Sequence, residues 1–292
     1  MMRNQYIDRI HPAVCFGYFI AAIATGMVLR HPVYLGLSLL GALLLNISIH
    51  GAGVVKKLLL FLPISLIVAA INPLFNTLGN TVLFIVFGRP YTLEALLYGG
   101  VTGGMLLGML LWFSAYNAVL TDDKFSYLFG TLSPSLSLLL TTVFRMIPNL
   151  AGKIRQIRAA RRCIGKAGGD SAKEKLDSGM TAISILTSWA LEGGVTTADS
   201  MNSRGYGTAK RSCFHSYRFG ASDILLCLLL TVTWLSAVVL LLTGGADTEW
   251  FPAIRLAAPD PFALTAYLIF LLTPTILNWN EELKWHILRS KI

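Results

Sequence analysis

Arg161 and Arg204 are the residues of this 292-residue chain whose type and spacing first suggest chemistry. Each stands in a short basic motif, Ala160-Arg161-Arg162 and Ser203-Arg204-Gly205, with the two arginines 43 residues apart and glycines following both. The chemistry open to a guanidinium is recognition. Its planar fork is always charged and pairs with a carboxylate through parallel hydrogen bonds. Both motifs lie within Arg145–Arg218, which holds 13 of the 24 Lys and Arg residues against five acids (Asp170, Glu174, Asp177, Glu192 and Asp199), a net +8 of the chain's +9. Hydrophobic runs flank that segment on both sides. It reads as a cytoplasmic coupling element carried by a membrane anchor.

Two helices must position these arginines. Over Asn149–Gly165, a rotation of about 100° per residue puts Leu150, Ile154, Ile157 and Ile164 on one narrow stripe. Arg155, Arg158, Arg162 and Lys166 gather beside it. Arg161 falls among the isoleucines, where an arginine either snorkels to water or enters a partner. A second helix runs from about Met180 to Ser203, with Leu186, Ala190, Gly193, Thr197, Met201 and Arg204 on one face. Gly165, Gly168 and Gly169 end the first helix, and Gly205 and Gly207 the second. A cation at such an end also offsets the helix dipole, typically by about 0.3–1 kcal/mol, so one such arginine would mean little. Two of them suggest matching plugs for a two-lobed partner.

Composition sets the surroundings. With 54% apolar and only 13% charged residues and a mean hydropathy of +0.63, the chain belongs to the membrane class. Its basic character is confined to one segment, which fits the positive-inside rule better than nucleic-acid binding. Cys15, Cys163, Cys213 and Cys227 show no metal-ligand or disulfide pattern. The first apolar run lacks a small-x-small exit and reads as a membrane helix rather than a cleaved signal.

In chain order, Met1–His11 is a polar head with Arg3 and Arg9. Ala13–Val28 and Val33–Ile49 cross the membrane around the turn Arg30-His31-Pro32. Leu58–Leu74 follows Lys56-Lys57 and breaks near Asn72-Pro73. Asn76–Pro90 is a loop whose apolar piece, Val82–Phe87, reads as an interfacial or re-entrant turn, because an open strand cannot stand in lipid. Leu93–Leu120 is the longest run, and Gly99, Gly100, Gly103, Gly104 and Gly108 along it let a neighbouring helix approach closely. Asp122-Asp123-Lys124 closes it. Phe125–Phe144, flanked by basic residues, suits an amphipathic helix on the inner surface better than a fifth crossing. Ile224–Thr243 spans, ending at Gly244-Gly245; Ala246–Asp260 carries a net −2 and fits the outer face. Pro261–Ile276 returns, and the tail from Trp279 carries Lys284, Arg289 and Lys291. The expected architecture is an all-α integral membrane protein with about six transmembrane helices and long cytoplasmic coupling helices. It divides into membrane helices over 1–124, a coupling segment over 125–218, and membrane helices with a cytoplasmic tail over 219–292.

The coupling segment resembles the transmembrane (T) component of energy-coupling factor (ECF) transporters, which carry two arginine motifs, commonly Ala-Arg-Gly, at the ends of long cytoplasmic helices. Ser203-Arg204-Gly205-Tyr206, preceded by Ala198, Ser200 and Met201, is similar to the second motif. Ala160-Arg161-Arg162 departs from the first, with arginine in the glycine place. A register one residue later would make Arg162 the key residue and Cys163 the glycine position. His11-Pro12 and Asn72-Pro73-Leu74-Phe75 also look like the family. The resemblance implies that the motif arginines dock in grooves of two ABC-type ATPase subunits. It implies too that the coupling helices present an apolar surface to a separate substrate-binding membrane subunit for vitamin or transition-metal uptake. The ATPase subunits would use the ATP, and this chain would bind no cofactor or metal. A multi-pass location in a prokaryotic plasma membrane follows, with both termini and the coupling segment cytoplasmic.

The residues agree on the negative points. The sequence contains no Gly-x-x-x-x-Gly-Lys-Ser/Thr phosphate loop, and its apolar runs carry almost no ionisable groups at lipid depth, with Glu94 and Asp223 at crossing ends. A standalone secondary transporter would need broken helices with polar midplane residues. An integral membrane enzyme would need clustered acids or histidines, whereas His11, His31, His50, His215 and His286 are dispersed.

Overall fold

A computed structural model describes residues 10–76, 79–86, 89–132, 134–165, 171–208, 217, 219–240, 242, 248–251 and 254–289. The expectations for Arg3 and Arg9, for Lys166, Gly168 and Gly169, for Cys213 and His215, for Gly244-Gly245 and for Lys291 lie outside them. The chain forms two compact units, one of residues 1–121 with 217–292 and one of residues 122–216.

The first unit holds α1 (Pro12–Val28), α2 (Pro32–His50), α3 (Val54–Phe75), α4 (Leu93–Val119), α8 (Ala221–Leu240) and α9 (Pro261–Arg289). Four apolar stretches are long enough to cross a bilayer: Pro32–Phe75, which contains both α2 and α3, then Leu93–Val119, Ala221–Val239 and Pro261–Trp285; α1 is a shorter apolar helix. Leucines such as Leu59, Leu60, Leu225 and Leu228 face outward from these helices, as lipid-facing surface does. The protein is an all-α membrane protein, and among the described residues two short hairpins accompany its helices.

α1 and α2 begin with the same device. His11 and His31 stand at the N-caps with proline next, and each Nδ1 accepts a freed backbone N–H, from Ala13 at 3.2 Å and Val33 at 3.3 Å. Proline costs nothing there, since its missing N–H would have had no helical partner. With Nδ1 accepting, the His31 Nε2–H donates to the Ala257 carbonyl at 3.1 Å.

α4 packs against α3 through glycine. A Cβ at Gly103 would stand 2.7 Å from the Ser65 carbonyl oxygen, and one at Gly99 would collide with the Ala69 carbonyl oxygen. Close approach therefore holds at these two glycines and not at Gly100, which faces open space. Hydrogen bonds tie the apolar helices together. Asn46 donates to the Leu111 carbonyl at 2.9 Å and accepts from Ser114 at 3.0 Å. Lys57 donates to Ser114 at 2.8 Å and to His50 Nε2 at 2.7 Å. Tyr18, Phe19, Trp112, Phe270, Tyr34 and Tyr267 fill the interior between these bonds.

Several expectations are corrected. Val82–Val86 is not a turn but strand β1, which pairs antiparallel with β2 (Arg89–Thr92). Each strand satisfies the other's facing backbone groups along one edge. The segment before α9 likewise contains a hairpin of β3 (Thr248–Glu249) and β4 (Arg255–Leu256). α3 runs through Pro73 to Phe75, capped by Asn76. α9 does not stop near Ile276. It continues through Pro274 to Arg289, with Asn278 buried and donating to Ser48.

The second unit holds α5 (Asp122–Leu132), α6 (Pro134–Cys163) and α7 (Ala172–Ser203). Asp122 and Asp123 open α5 in its first turn, where negative charge is favoured by the helix dipole. Phe125–Phe144 is therefore not a single helix but the body of α5 and the start of α6. Neither is among the stretches apolar and long enough to span. α6 is 30 residues long and passes through Pro148 without ending. α7 starts at Ala172, eight residues before the expected Met180, with Ser171 at its N-cap.

Candidate functional site

The α6–α7 pair is built by a mixed stripe on each helix. On α6, Leu150 and Ile154 are half-buried and Ile157 is buried. On α7, Leu186, Ala190, Gly193, Thr197 and Met201 are all half-buried, as their spacing requires. The Lys153 ammonium sits 5.2 Å from the centre of the Trp189 indole, and Arg145, earlier in α6, lines a cavity with Gly193, Met201 and Arg204, later in α7. The two helices thus run in opposite senses past each other.

The apolar stripe beside this face of α7 is less ordinary. None of the described residues of this 32-residue helix is buried. Leu176 is 71% exposed, Met180 63%, Ile183 59% and Leu191 67%. An amphipathic helix draws most of its stability from burying its apolar stripe, and contiguous exposed apolar surface marks an interaction site.

The helix ends carry the motifs. Gly205 has φ +74°, its N–H reaches the Asn202 carbonyl at 3.0 Å, and the Tyr206 N–H reaches Met201 at 3.0 Å. That pair of bonds is a Schellman cap, which needs a left-handed residue at the glycine position. Arg204 is the C-cap residue and is exposed. The Ser203 hydroxyl is spent on the Asp199 carbonyl one turn back, at 2.8 Å. α6 closes in a related way: Gly165 has φ +71° and its N–H donates to the Arg162 carbonyl at 3.1 Å.

The arginines do not share a register. Arg204 directly precedes its left-handed glycine, whereas Arg162 lies three residues and Arg161 four residues before Gly165. Arg161 is half-buried, while Ala160 and Arg162 are exposed. Ile164, expected on the apolar stripe, is 68% exposed, because the helix has already ended at Cys163. Cys163 is an exposed free thiol.

Two residues at this site stand outside both motifs and both predicted helix faces. Trp189 sits one helical turn from Leu186 and was a legible member of its face, and Arg145 is the first of the segment's cations. Among the described residues, no group of three or more His, Cys, Asp or Glu is placed to hold a metal ion. What the arrangement offers chemically is surface: exposed guanidinium groups at helix ends and an exposed apolar stripe.

The family described as CbiQ, cobalt transport protein, matches residues 4–215, which include α1–α7 and both arginine motifs. No curated protein matches the chain.

Proposed function

Since the chain belongs to the CbiQ cobalt transport protein family, we propose that it is the membrane scaffold subunit of an ECF-type ABC importer. Two ABC-type ATPase subunits hydrolyse ATP. The α6–α7 pair passes their movement to a separate substrate-binding membrane subunit that carries a transition metal or a vitamin. The observation that carries this reading is the pairing of exposed, glycine-capped cationic helix ends with a long amphipathic helix that buries no residue of its own. Such a helix makes sense as an interface waiting for subunits.

In this reading Arg204 enters one ATPase groove and the end of α6 enters the other. Exposure favours Arg162 as the second docking guanidinium, with Arg161 holding the tip against the helix pair. Each pairs with carboxylates of the ATPase. Removing one member of a buried interfacial charge pair costs roughly 2–5 kcal/mol, much of it from stranding the other charge. The exposed stripe of Leu176, Met180, Ile183 and Leu191 meets the substrate-binding subunit. The chain itself binds neither ATP nor substrate, and it lies in a prokaryotic plasma membrane with its termini and coupling helices in the cytoplasm.

The test is co-purification of the full-length chain with the ATPase pair. Arg204→Glu weakens capture by roughly 2 kcal/mol or more while membrane insertion is unchanged. Capture at the wild-type level removes the assignment.

A further inference from the structure

A cleft of about 790 Å³ opens between the first half of α6 and the second half of α7. Its lining takes Arg145 from α6 and Arg204 from α7, apolar surface from Trp189 and Met201, and one carboxylate from Glu192. Among the described residues, neither arginine nor Glu192 has an ion pair or a side-chain hydrogen bond. The Thr196 and Thr197 hydroxyls at the same cleft donate to the Glu192 and Gly193 carbonyls one turn back, at 2.9 and 2.7 Å. Their protons are spent, so the two guanidinium groups supply the charged donors for anything negative that enters, beside the neutral Ser200 hydroxyl and Trp189 indole N–H.

We propose that Arg145 and Arg204 form a two-arginine cleft that receives an acidic, helix-sized peptide segment forming one wall of the ATPase groove that Arg204 enters. This rests on the scaffold reading above and extends it to a residue that lies far from either motif in sequence. The cleft's volume is close to that of two turns of α-helix, taking a diameter of roughly 10 Å and a pitch of about 5.4 Å. Its lining sorts the possible occupants. A phosphate cluster or a nucleic acid would meet the Glu192 carboxylate and gain nothing from Trp189 and Met201. A peptide segment presents carboxylates to the two forks, a donor to Glu192 and an apolar side chain to the indole, and it uses every part of the surface. Paired arginines also fix the orientation of a carboxylate-bearing helix, which a single arginine does not.

The experiment measures the affinity of the purified ATPase pair for the full-length chain in nanodiscs, one set zwitterionic and one rich in anionic lipid. Arg145→Glu raises the Kd at least tenfold in both sets, and Lys56→Glu, an exposed cation of the membrane unit, leaves it within twofold. Wild-type affinity for Arg145→Glu alongside a loss for Arg204→Glu overturns the cleft and leaves the scaffold reading standing. Wild-type affinity for both variants overturns the scaffold reading itself. A loss confined to the anionic nanodiscs assigns Arg145 to a lipid headgroup and also overturns the proposal. Should Arg145→Glu fail to fold, Arg145→Gln carries the test: a Kd raised at least threefold supports the cleft, and an unchanged Kd overturns it.

Discussion

The ammonium of Lys153 lies 5.2 Å from the centre of the Trp189 indole and marks where α6 and α7 pass each other. Arg162 follows Lys153 by nine residues on one helix, and Arg204 follows Trp189 by fifteen on the other. At about 1.5 Å per residue these are arms of roughly 13 and 22 Å, leading away from a shared contact. Two helices that touch near their middles and carry cations at their far ends can pass a displacement at one end to the other, provided the contact holds.

Loosening that contact should uncouple the ends. Lys153→Met removes a cation–π contact of about 0.5–1 kcal/mol, and Trp189→Ala also removes the aromatic packing. The expected outcome is an assembled complex that hydrolyses ATP at or above the wild-type rate with uptake reduced severalfold, more in Trp189→Ala. Parallel measurement of phosphate release and solute uptake checks it.

Within the membrane unit, two neighbouring glycines should behave in opposite ways. Gly103→Ala drives a methyl to 2.7 Å from the Ser65 carbonyl oxygen and 2.9 Å from the Ala69 Cβ, an overpacking cost of about 1–3 kcal/mol. Gly100→Ala meets nothing within 4 Å and gains helix propensity. Melting in detergent should fall for the first and hold or rise for the second.

The glycine spacing of α4 and its limits were legible in the sequence because long apolar runs and small-residue periodicity speak directly about lipid and packing. The half-buried face of α7 was legible for the same reason, from Leu186 to Met201. Its first eight residues were not, because Ala172–Gly179 alternates charges with small residues and shows no apolar period. The β1–β2 hairpin was hidden by its second strand, Arg89–Thr92, where Pro90 disguises a pairing segment. The continuation of α9 past Ile276 was hidden because Asn278 looks like an exit to water, whereas its amide finds the Ser48 hydroxyl in the interior. At the site, the motifs announced the helix ends, but nothing local ties Arg145 to Arg204, 59 residues away.

The caps themselves can be tested. Gly205→Ala forces a side chain into φ +74° at a cost of about 1–2 kcal/mol. The Schellman turn opens and Arg204 loses its fixed place at the end of α7. ATPase affinity should fall roughly five- to thirtyfold while Arg204 itself is untouched, and Gly152→Ala, which meets open space in mid-α6, should leave it unchanged.

His11 gives a pH prediction. Burial lowers its pKa below the ordinary value, against an opposing pull from Asp223, and its ring stacks on Phe219 at 3.7 Å. The folded protein favours neutral imidazole, so it binds fewer protons at this site than the unfolded chain. The stabilisation is complete above about pH 6.5 and is lost as the pH falls through the folded value. Melting temperature should drop between pH 7.5 and 5.5, and the drop should be smaller in His11→Gln, which keeps a capping acceptor without a titrating ring.

The most direct measurement is ATP-driven Co²⁺ uptake by proteoliposomes that contain this chain, the ATPase pair and the substrate-binding membrane subunit. Uptake should require all three components and ATP, disappear in Arg204→Glu, and be absent from vesicles that hold this chain alone. Co²⁺ movement through the chain alone, or undiminished uptake in Arg204→Glu, would contradict the scaffold account.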